Sequence, residues 1–172
     1  MRKAVLISIQ PKWCELIASG KKNVEVRKSI PKLETPFKVY IYCTKADKGW
    51  VHLGKNIQLD TKVIGEFTCD KITCYPYNSD GYRIKNEKEI CADSGLKTNE
   101  LYHYLQGSKP YAWHISDLVI YDKPKELSEF SPSDCGKKRC FTCKCFDPEK
   151  PSCTLKRPPQ SWCYVEECED NA

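Results

Sequence analysis

The stretch LISIQPKWCELIASGKKNVEVRK, at residues 6–28, carries the pattern of a strand, a short helix and a second strand. Alternation over residues 5–9 predicts the first strand, and the proline after it suits the first turn of a helix that we expect to reach Ala18. The Ser-Gly pair that follows is typical of a helix end. Residues 24–27, VEVR, alternate apolar and charged side chains, which predicts a strand with two opposite charges on one face.

The chain beyond this stretch contains more strand patterns than helical ones. The clearest strands are residues 37–43 and 62–68, and weaker patterns cover residues 72–77 and 112–121. A second helix is expected at Thr98–Leu105, with Thr98 as its N-cap. Because short strands dominate, we predict an α+β fold in which a small, mixed and largely antiparallel sheet curls into a β-barrel, with two or three short helices.

Length and composition set the class of protein. The 172 residues are enough for one main core and an appendage. Hydrophobic residues make up 40% and charged residues 30% of the chain, which is the usage of a folded protein and not of a disordered one. The net charge of +5 permits an anionic partner, and residues 1–28 carry seven Lys or Arg against two Glu. No apolar run suits a membrane span or a signal peptide, so we expect a cytoplasmic protein with no membrane partner.

The composition changes after Pro124. Residues 131–159 are rich in Cys, Lys, Pro and Asp and show almost no apolar periodicity, so they cannot build a core unaided. The segment RPPQSWCYVEE, at residues 157–167, then has the pattern of a strand. We therefore divide the chain into a barrel domain at residues 1–126 and a cysteine-rich extension at residues 127–172, whose last strand docks on the barrel.

The extension is a candidate zinc-binding segment. Seven of the twelve cysteines lie in it, and in a reducing compartment such a cluster favours metal binding over disulfides. Two residues separate Cys140 from Cys143, the spacing with which two thiolates bind one zinc. The most workable spacing for a closed, structural site is that of Cys135, Cys140, Cys143 and Cys153, with Cys145 as the substitute. A disulfide-bonded or redox-active tail and an unliganded tail are the alternatives.

The charged residues between helix and strand form the candidate binding site. Lys22 and Arg27 flank a turn and a strand, so both can enter one cleft, Lys22 as a point charge and Arg27 as a planar fork. Glu25 shares a strand face with Arg27 and can orient it, accept a hydrogen bond from a base, or act as a general base. The alternative is a solvated turn at Lys21 and Lys22 beside an exposed pair of Glu25 and Arg27.

Aromatic residues and one further lysine are candidates for the walls of the same cleft. Trp13, Trp50 and Trp113 are expected to supply a surface on which a base stacks, and Lys45 a second positive charge at the rim. The alternatives are core positions for the tryptophans and an exposed loop position for Lys45.

Three segments in chain order resemble ASCH domains, which are members of the PUA-like superfamily. The GxKxxExR-type segment within residues 6–28 resembles the start of the domain. YIYCTK at residues 40–45 and YAWHISDLVIYDKP at residues 111–124 resemble later strands, particularly of phage and bacterial forms. The resemblance covers most of residues 4–125 and implies a small β-barrel with a cleft beside the first helix and an RNA-related role.

Some ASCH proteins are amidohydrolases that remove the acetyl group from acetylcytidine with a Lys and a Thr in this segment and a Glu further on. Lys22 matches that Lys and Arg27 a nearby Arg, but Glu25 stands at the position of the Thr nucleophile. The resemblance therefore favours a module that binds RNA or a modified nucleoside or nucleotide. The residues expected to take part are Lys21, Lys22, Glu25, Arg27, Lys45, Trp13 and Trp113. The alternatives are an amidohydrolase with Lys22 and Glu25 as catalytic residues, and a protein-interaction module that uses the zinc-binding tail.

Overall fold

The computed structural model describes residues 2–46, 61–133 and 153–168. Within these ranges the chain forms eight strands, three α-helices and one short 3-10 helix at Leu127–Glu129. In chain order the strands and α-helices are β1 (Lys3–Ile9), α1 (Pro11–Ala18), β2 (Val24–Arg27), β3 (Phe37–Cys43), β4 (Lys62–Cys69), β5 (Ile72–Cys74), α2 (Glu87–Ser94), α3 (Thr98–Leu105), β6 (Tyr111–His114), β7 (Ser116–Lys125) and β8 (Trp162–Glu166). The predicted α+β class, with a few short helices, is confirmed.

The strands form two sheets. One has the order β7-β4-β3-β1-β8 and the other the order β2-β6-β5. β1 runs parallel to β3, and the remaining pairs are antiparallel, so the predicted mixed and largely antiparallel character is confirmed. The prediction of a closed barrel is wrong for the described part of the chain, where the larger sheet ends at β7 and β8 and these two edges do not pair.

A break at Ile115 accounts for the second sheet. Residues 112–121 had the pattern of one strand, but β6 pairs with β2 and β5 whereas β7 pairs with β4. The backbone N–H of Ile115, between them, donates to the carbonyl of Asn23 at 3.0 Å. The chain therefore leaves one sheet and enters the other at this residue.

The main core lies between the two sheets and is closed by α1. Trp113 of β6 is fully buried there and meets the ring of Phe37 edge-on, with the ring centroids 5.9 Å apart. Side chains of β1, β3 and β4 complete this core, among them Ile7, Ile41 and Phe67. Burial of these large apolar side chains is the main source of stability for a sheet packed on a sheet.

A second group of apolar side chains covers the opposite face of the larger sheet. Leu6 and Tyr40 point to this face and pack with Phe130 and Val165, which lie beyond the predicted domain boundary at residue 126. β1 is consequently buried on both faces, in keeping with its nearly unbroken apolar sequence. The predicted final strand is confirmed as β8, which pairs antiparallel with β1. The boundary itself stays a prediction.

The helices differ from expectation at two places. α1 and α3 have the predicted bounds, although α3 has Lys97 and not Thr98 at its N-cap. α2 was not predicted, because it is weakly amphipathic and buries only Ile90 and Ser94. It ends at Gly95, whose φ of 69° is the left-handed conformation that glycine adopts without strain. None of the helices in the described ranges is long and apolar enough to cross a membrane.

Phe130 tests whether residues beyond 126 stabilise the whole fold. Its ring is fully buried against Tyr40, with centroids 4.9 Å apart. We expect Phe130→Ala to lower the free energy of unfolding by about 3–5 kcal/mol in urea titrations. Tyr82→Ala is the matched control, since this ring is 82% exposed. Equal stabilities of the two variants would contradict a core role for the segment.

Candidate functional site

A cleft of about 520 Å³ opens beside α1, between β2, α3 and the segment that precedes β8. It lies next to the first helix, where the resemblance to ASCH domains implies a cleft. The side chains and backbone that line it belong to Ser8, Ile9, Gln10, Trp13, Lys22, Glu25, Val26, Arg27, Thr44, Leu96, Glu100, His103, Tyr104 and Gln160. A volume of this size is typical of sites for small organic ligands.

Three charged side chains form an ion triad in the floor of the cleft. A carboxylate oxygen of Glu25, Oε1, lies 3.0 Å from Nη2 of Arg27, and its other oxygen, Oε2, lies 3.2 Å from Nζ of Lys22. All three side chains are at least nine-tenths buried. The alternative of an exposed pair of Glu25 and Arg27 beside a solvated Lys22 is therefore wrong.

Backbone carbonyls hold the two cations of the triad in place. Nζ of Lys22 donates to the carbonyl of Ser94 at 2.9 Å, and Nη2 of Arg27 donates to the carbonyl of Ser8 at 2.7 Å. Ser94 ends α2, and Ser8 lies in β1. The triad thus connects β2 to two elements that are remote from it in sequence.

The turn after α1 decides which of two neighbouring lysines is buried. Gly20 has a φ of 70°, and the backbone N–H groups of Lys21 and Lys22 both donate to the carbonyl of Leu16, at 2.9 and 3.0 Å. This helix end turns the Lys22 side chain into the cleft. Lys21 is exposed and does not line the cleft.

Burial of the triad is costly unless each ion is well paired. Removing charged groups from water costs several kcal/mol per ion, which ion pairs and hydrogen bonds offset only in part. Two buried atoms of the triad, Oε2 of Glu25 and Nε of Arg27, have no hydrogen-bond partner among the described residues, although Oε2 keeps its contact with Lys22. Unsatisfied buried polar atoms are uncommon in folded proteins, so these two require a physical explanation.

The cleft walls are aromatic and come from α1 and α3. Trp13 lines one wall, and Nζ of Lys22 lies 5.3 Å from the centre of its ring. Tyr104, His103 and Glu100 of α3 also line the cleft. The ammonium group of Lys12 donates to Glu100 at 2.8 Å, which joins the two helices and lowers the pKa of that carboxyl.

The fold is similar to that of solved ASCH structures. The crystal structure of ASCH from Zymomonas mobilis has a TM-score of 0.59 and 21% identity over 95% of this chain and 88% of that chain. Crystal structures of a Tyr-to-Phe and a Ser-to-Ala variant of that protein have TM-scores of 0.58 and 0.59, at 20% identity over 96% of this chain. These alignments cover 92% and 90% of the variant chains.

The chain has an ASCH-type fold. At this level of identity the likeness extends to the fold alone. The sequence matches no family model and no curated protein. The ASCH-type architecture expected from the three sequence segments is nevertheless present in the described part of the chain. The likeness assigns no chemistry to the side chains of the cleft.

Within this ASCH-type fold, four of the predicted binding residues lie together, and three do not. Trp13, Lys22, Glu25 and Arg27 line the cleft. Trp113 does not: it is 0% exposed and fills the core between the sheets, so its proposed role in stacking a base is wrong. Lys45 is exposed next to the cleft residue Thr44 but is not part of the lining, and Lys21 faces solvent. Trp50 lies outside the described residues.

Ten of the fourteen residues that line the cleft were not among the predicted binding residues. Glu100, His103 and Tyr104 come from α3, and Gln160 comes from the segment before β8. The helix was predicted, but nothing in its local pattern indicates that this face meets α1 across a cavity. The one available sign was that α3 carries polar and aromatic residues side by side on a single face.

The proposed zinc ligands lie mostly outside the described residues. This applies to Cys135, Cys140, Cys143 and Cys145, whereas Cys153 is described and half-buried. Residues 2–46, 61–133 and 153–168 contain no group of three or more His, Cys, Asp or Glu side chains arranged to hold a metal ion. Cys163 lies in β8, and burial raises the pKa of its thiol to about 11.

Loss of the Glu25 charge is expected to destabilise the unliganded protein. Glu25→Gln leaves two buried cations without their counter-charge, and we expect it to lower the free energy of unfolding by about 3 kcal/mol. Glu100→Gln is the matched control, because its ion pair with Lys12 lies at the surface and contributes little. Urea unfolding measures both. A Glu25 variant that is as stable as the Glu100 variant would contradict the energetic account of the triad.

Proposed function

We propose that the cleft binds an unpaired nucleobase, presented either by single-stranded RNA or by a free, modified nucleoside. The observation that carries this proposal is the buried triad of Lys22, Glu25 and Arg27 beneath an aromatic wall. A planar heterocycle offers both a face for stacking and an edge with hydrogen-bond donors and acceptors. The ASCH-type fold is compatible with RNA binding and supports this choice.

The charge of the lining favours a base over a phosphate in the depth of the cleft. Lys22 and Arg27 are balanced by Glu25 and Glu100, so the formal charges of these four cleft residues cancel. The Lys22 and Arg27 side chains are also engaged with Glu25 and with backbone carbonyls. A phosphate would find little net attraction there, whereas an uncharged polar edge meets oriented charges of both signs.

The walls of the cleft suit a stacked ring. Trp13 of α1 and Tyr104 of α3 both contribute aromatic side chains to the cleft lining. Stacking of a base on an aromatic side chain contributes about 1–3 kcal/mol per base and is largely independent of base identity. Stacking therefore supplies affinity, and the polar groups of the cleft supply discrimination.

Binding of nucleosides and short RNA tests the proposal. We expect Trp13→Ala and Lys22→Ala each to weaken binding of a single-stranded oligoribonucleotide by about tenfold or more, measured by calorimetry. Lys21→Ala is the matched control for Lys22, because it removes a neighbouring lysine that points to solvent. Circular dichroism and urea unfolding check that each variant is folded. If the Lys22→Ala variant does not fold, the effect of Trp13→Ala alone tests whether the cleft binds a base. Affinity unchanged by Trp13→Ala, or equal losses at Lys21 and Lys22, would contradict a base-binding cleft.

An amidohydrolase is the second candidate, and the contact between Lys22 and Glu25 favours it. An ammonium and a carboxylate 3.2 Å apart in a buried site can activate water and then protonate a leaving amine. Incubation with acetylcytidine separates the two functions. Turnover by the wild-type protein that Lys22→Ala abolishes would replace the pure binding proposal with an enzymatic one.

A protein-interaction module that uses the tail is the third candidate. Binding of RNA through Lys and Arg weakens as salt increases, because bound counterions are released from the phosphates. We expect such a dependence for an oligoribonucleotide whose phosphates lie along the basic N-terminal part of the chain. A slope near zero would favour the protein-interaction function.

For the cysteine-rich extension we propose a structural zinc ion held by Cys135, Cys140, Cys143 and Cys153, with Cys145 as the substitute. Four thiolates close the coordination shell, so such a site would stabilise the segment and leave no position for a reacting water. Protein purified under reducing conditions is expected to contain about one zinc per chain. A ratio near zero by atomic absorption would overturn this proposal.

A further inference from the structure

The cleft contains one polar side chain that comes from the far C-terminal part of the chain. Gln160 lies two positions before the start of β8, is exposed, and lines the cleft together with the triad. Neither the sequence pattern nor the likeness to ASCH structures assigns it a role. All other residues that line the cleft lie between residues 8 and 104. A physical interaction must therefore hold Gln160 beside them.

Ser8 of β1 fixes the backbone on both sides of Gln160. Its Oγ donates to the carbonyl of Pro159 at 2.6 Å, and its backbone N–H donates to the carbonyl of Ser161 at 2.9 Å. The carbonyl of Ser8 in turn accepts the hydrogen bond from Arg27. One serine therefore holds Gln160 in register with Arg27 of the triad.

The side chain of Gln160 is chemically distinct from the other polar groups of the cleft. It is a neutral amide that carries both donors and an acceptor, and no side-chain hydrogen bond to another described residue engages it. The charged groups of the triad, in contrast, are committed to one another. An amide of this kind forms paired hydrogen bonds with a base edge on which an amino group lies next to a ring nitrogen.

We infer that Gln160 is a specificity-determining residue that reads the polar edge of the base in the cleft, and this inference rests on the proposed function. The segment before β8 accordingly contributes a ligand-binding residue to the cleft. The ligand class that fits is a nucleoside whose base has an exocyclic amino group beside a ring acceptor, as in cytidine or adenosine.

A cycle of protein and ligand changes tests the inference. Cytidine and adenosine are each compared by calorimetry with the matched nucleoside that lacks the exocyclic amino group. Gln160→Ala is expected to weaken binding of the amino nucleoside about 3- to 10-fold and to weaken binding of the analogue, which keeps only the ring nitrogen, by less. Gln106→Ala is the control, since this exposed glutamine lies outside the cleft lining and should affect neither ligand.

The outcomes distinguish the inference from the function on which it rests. If the wild-type protein binds the nucleoside and Trp13→Ala weakens it, but Gln160→Ala does not, the role of Gln160 is overturned and the base-binding cleft stands. Equal losses for the amino nucleoside and its analogue also overturn it, because they indicate a general effect on the cleft. Absence of nucleoside and RNA binding by the wild-type protein overturns both.

Discussion

The ion pairs that the Glu25 carboxylate forms with Lys22 and Arg27 are the interaction on which the arrangement of the elements around the cleft depends. The carboxylate lies between two buried cations, and each cation continues to a backbone carbonyl of another element, Ser94 of α2 and Ser8 of β1. The carboxylate thus relates the turn after α1, both sheets and the second helix to one another. Because buried ions tolerate little displacement, these elements hold a constant geometry around the cleft.

β1 provides the matching constraint in the larger sheet. It lies between β3 and β8 and is buried on both faces, so the first and last described strands of the chain are hydrogen-bonded neighbours. Ser8 belongs to this strand and interacts with the triad on one side and with the C-terminal segment on the other. The C-terminal segment therefore contributes to the core through Val165 and to the cleft through Gln160.

Local pattern predicted the elements well where packing and propensity agree. The bounds of α1 and β2 follow from a helix-starting proline, a C-terminal glycine and strict alternation in VEVR. Prediction from local pattern failed where tertiary contacts outweigh local signals. α2 is stabilised by contacts with β2 despite a weak apolar stripe, and the apparent strand at 112–121 is divided because its two halves have different partners. Trp113 illustrates the same limit for a side chain, since an aromatic residue in a strand carries no sign of which face is core.

The sequence by itself determined the class of the fold, its early strand–helix–strand unit, and the placement of Glu25 and Arg27 on one face of a strand. These properties depend on residues close together in the chain, through backbone geometry and hydrophobic period. Only the tertiary structure decided that the Lys22 ammonium meets the carbonyl of Ser94, that α3 contributes to the cleft wall, and that Gln160 completes it. Each of these depends on contacts between segments remote in sequence, and the free energy of such contacts is not encoded in any local pattern.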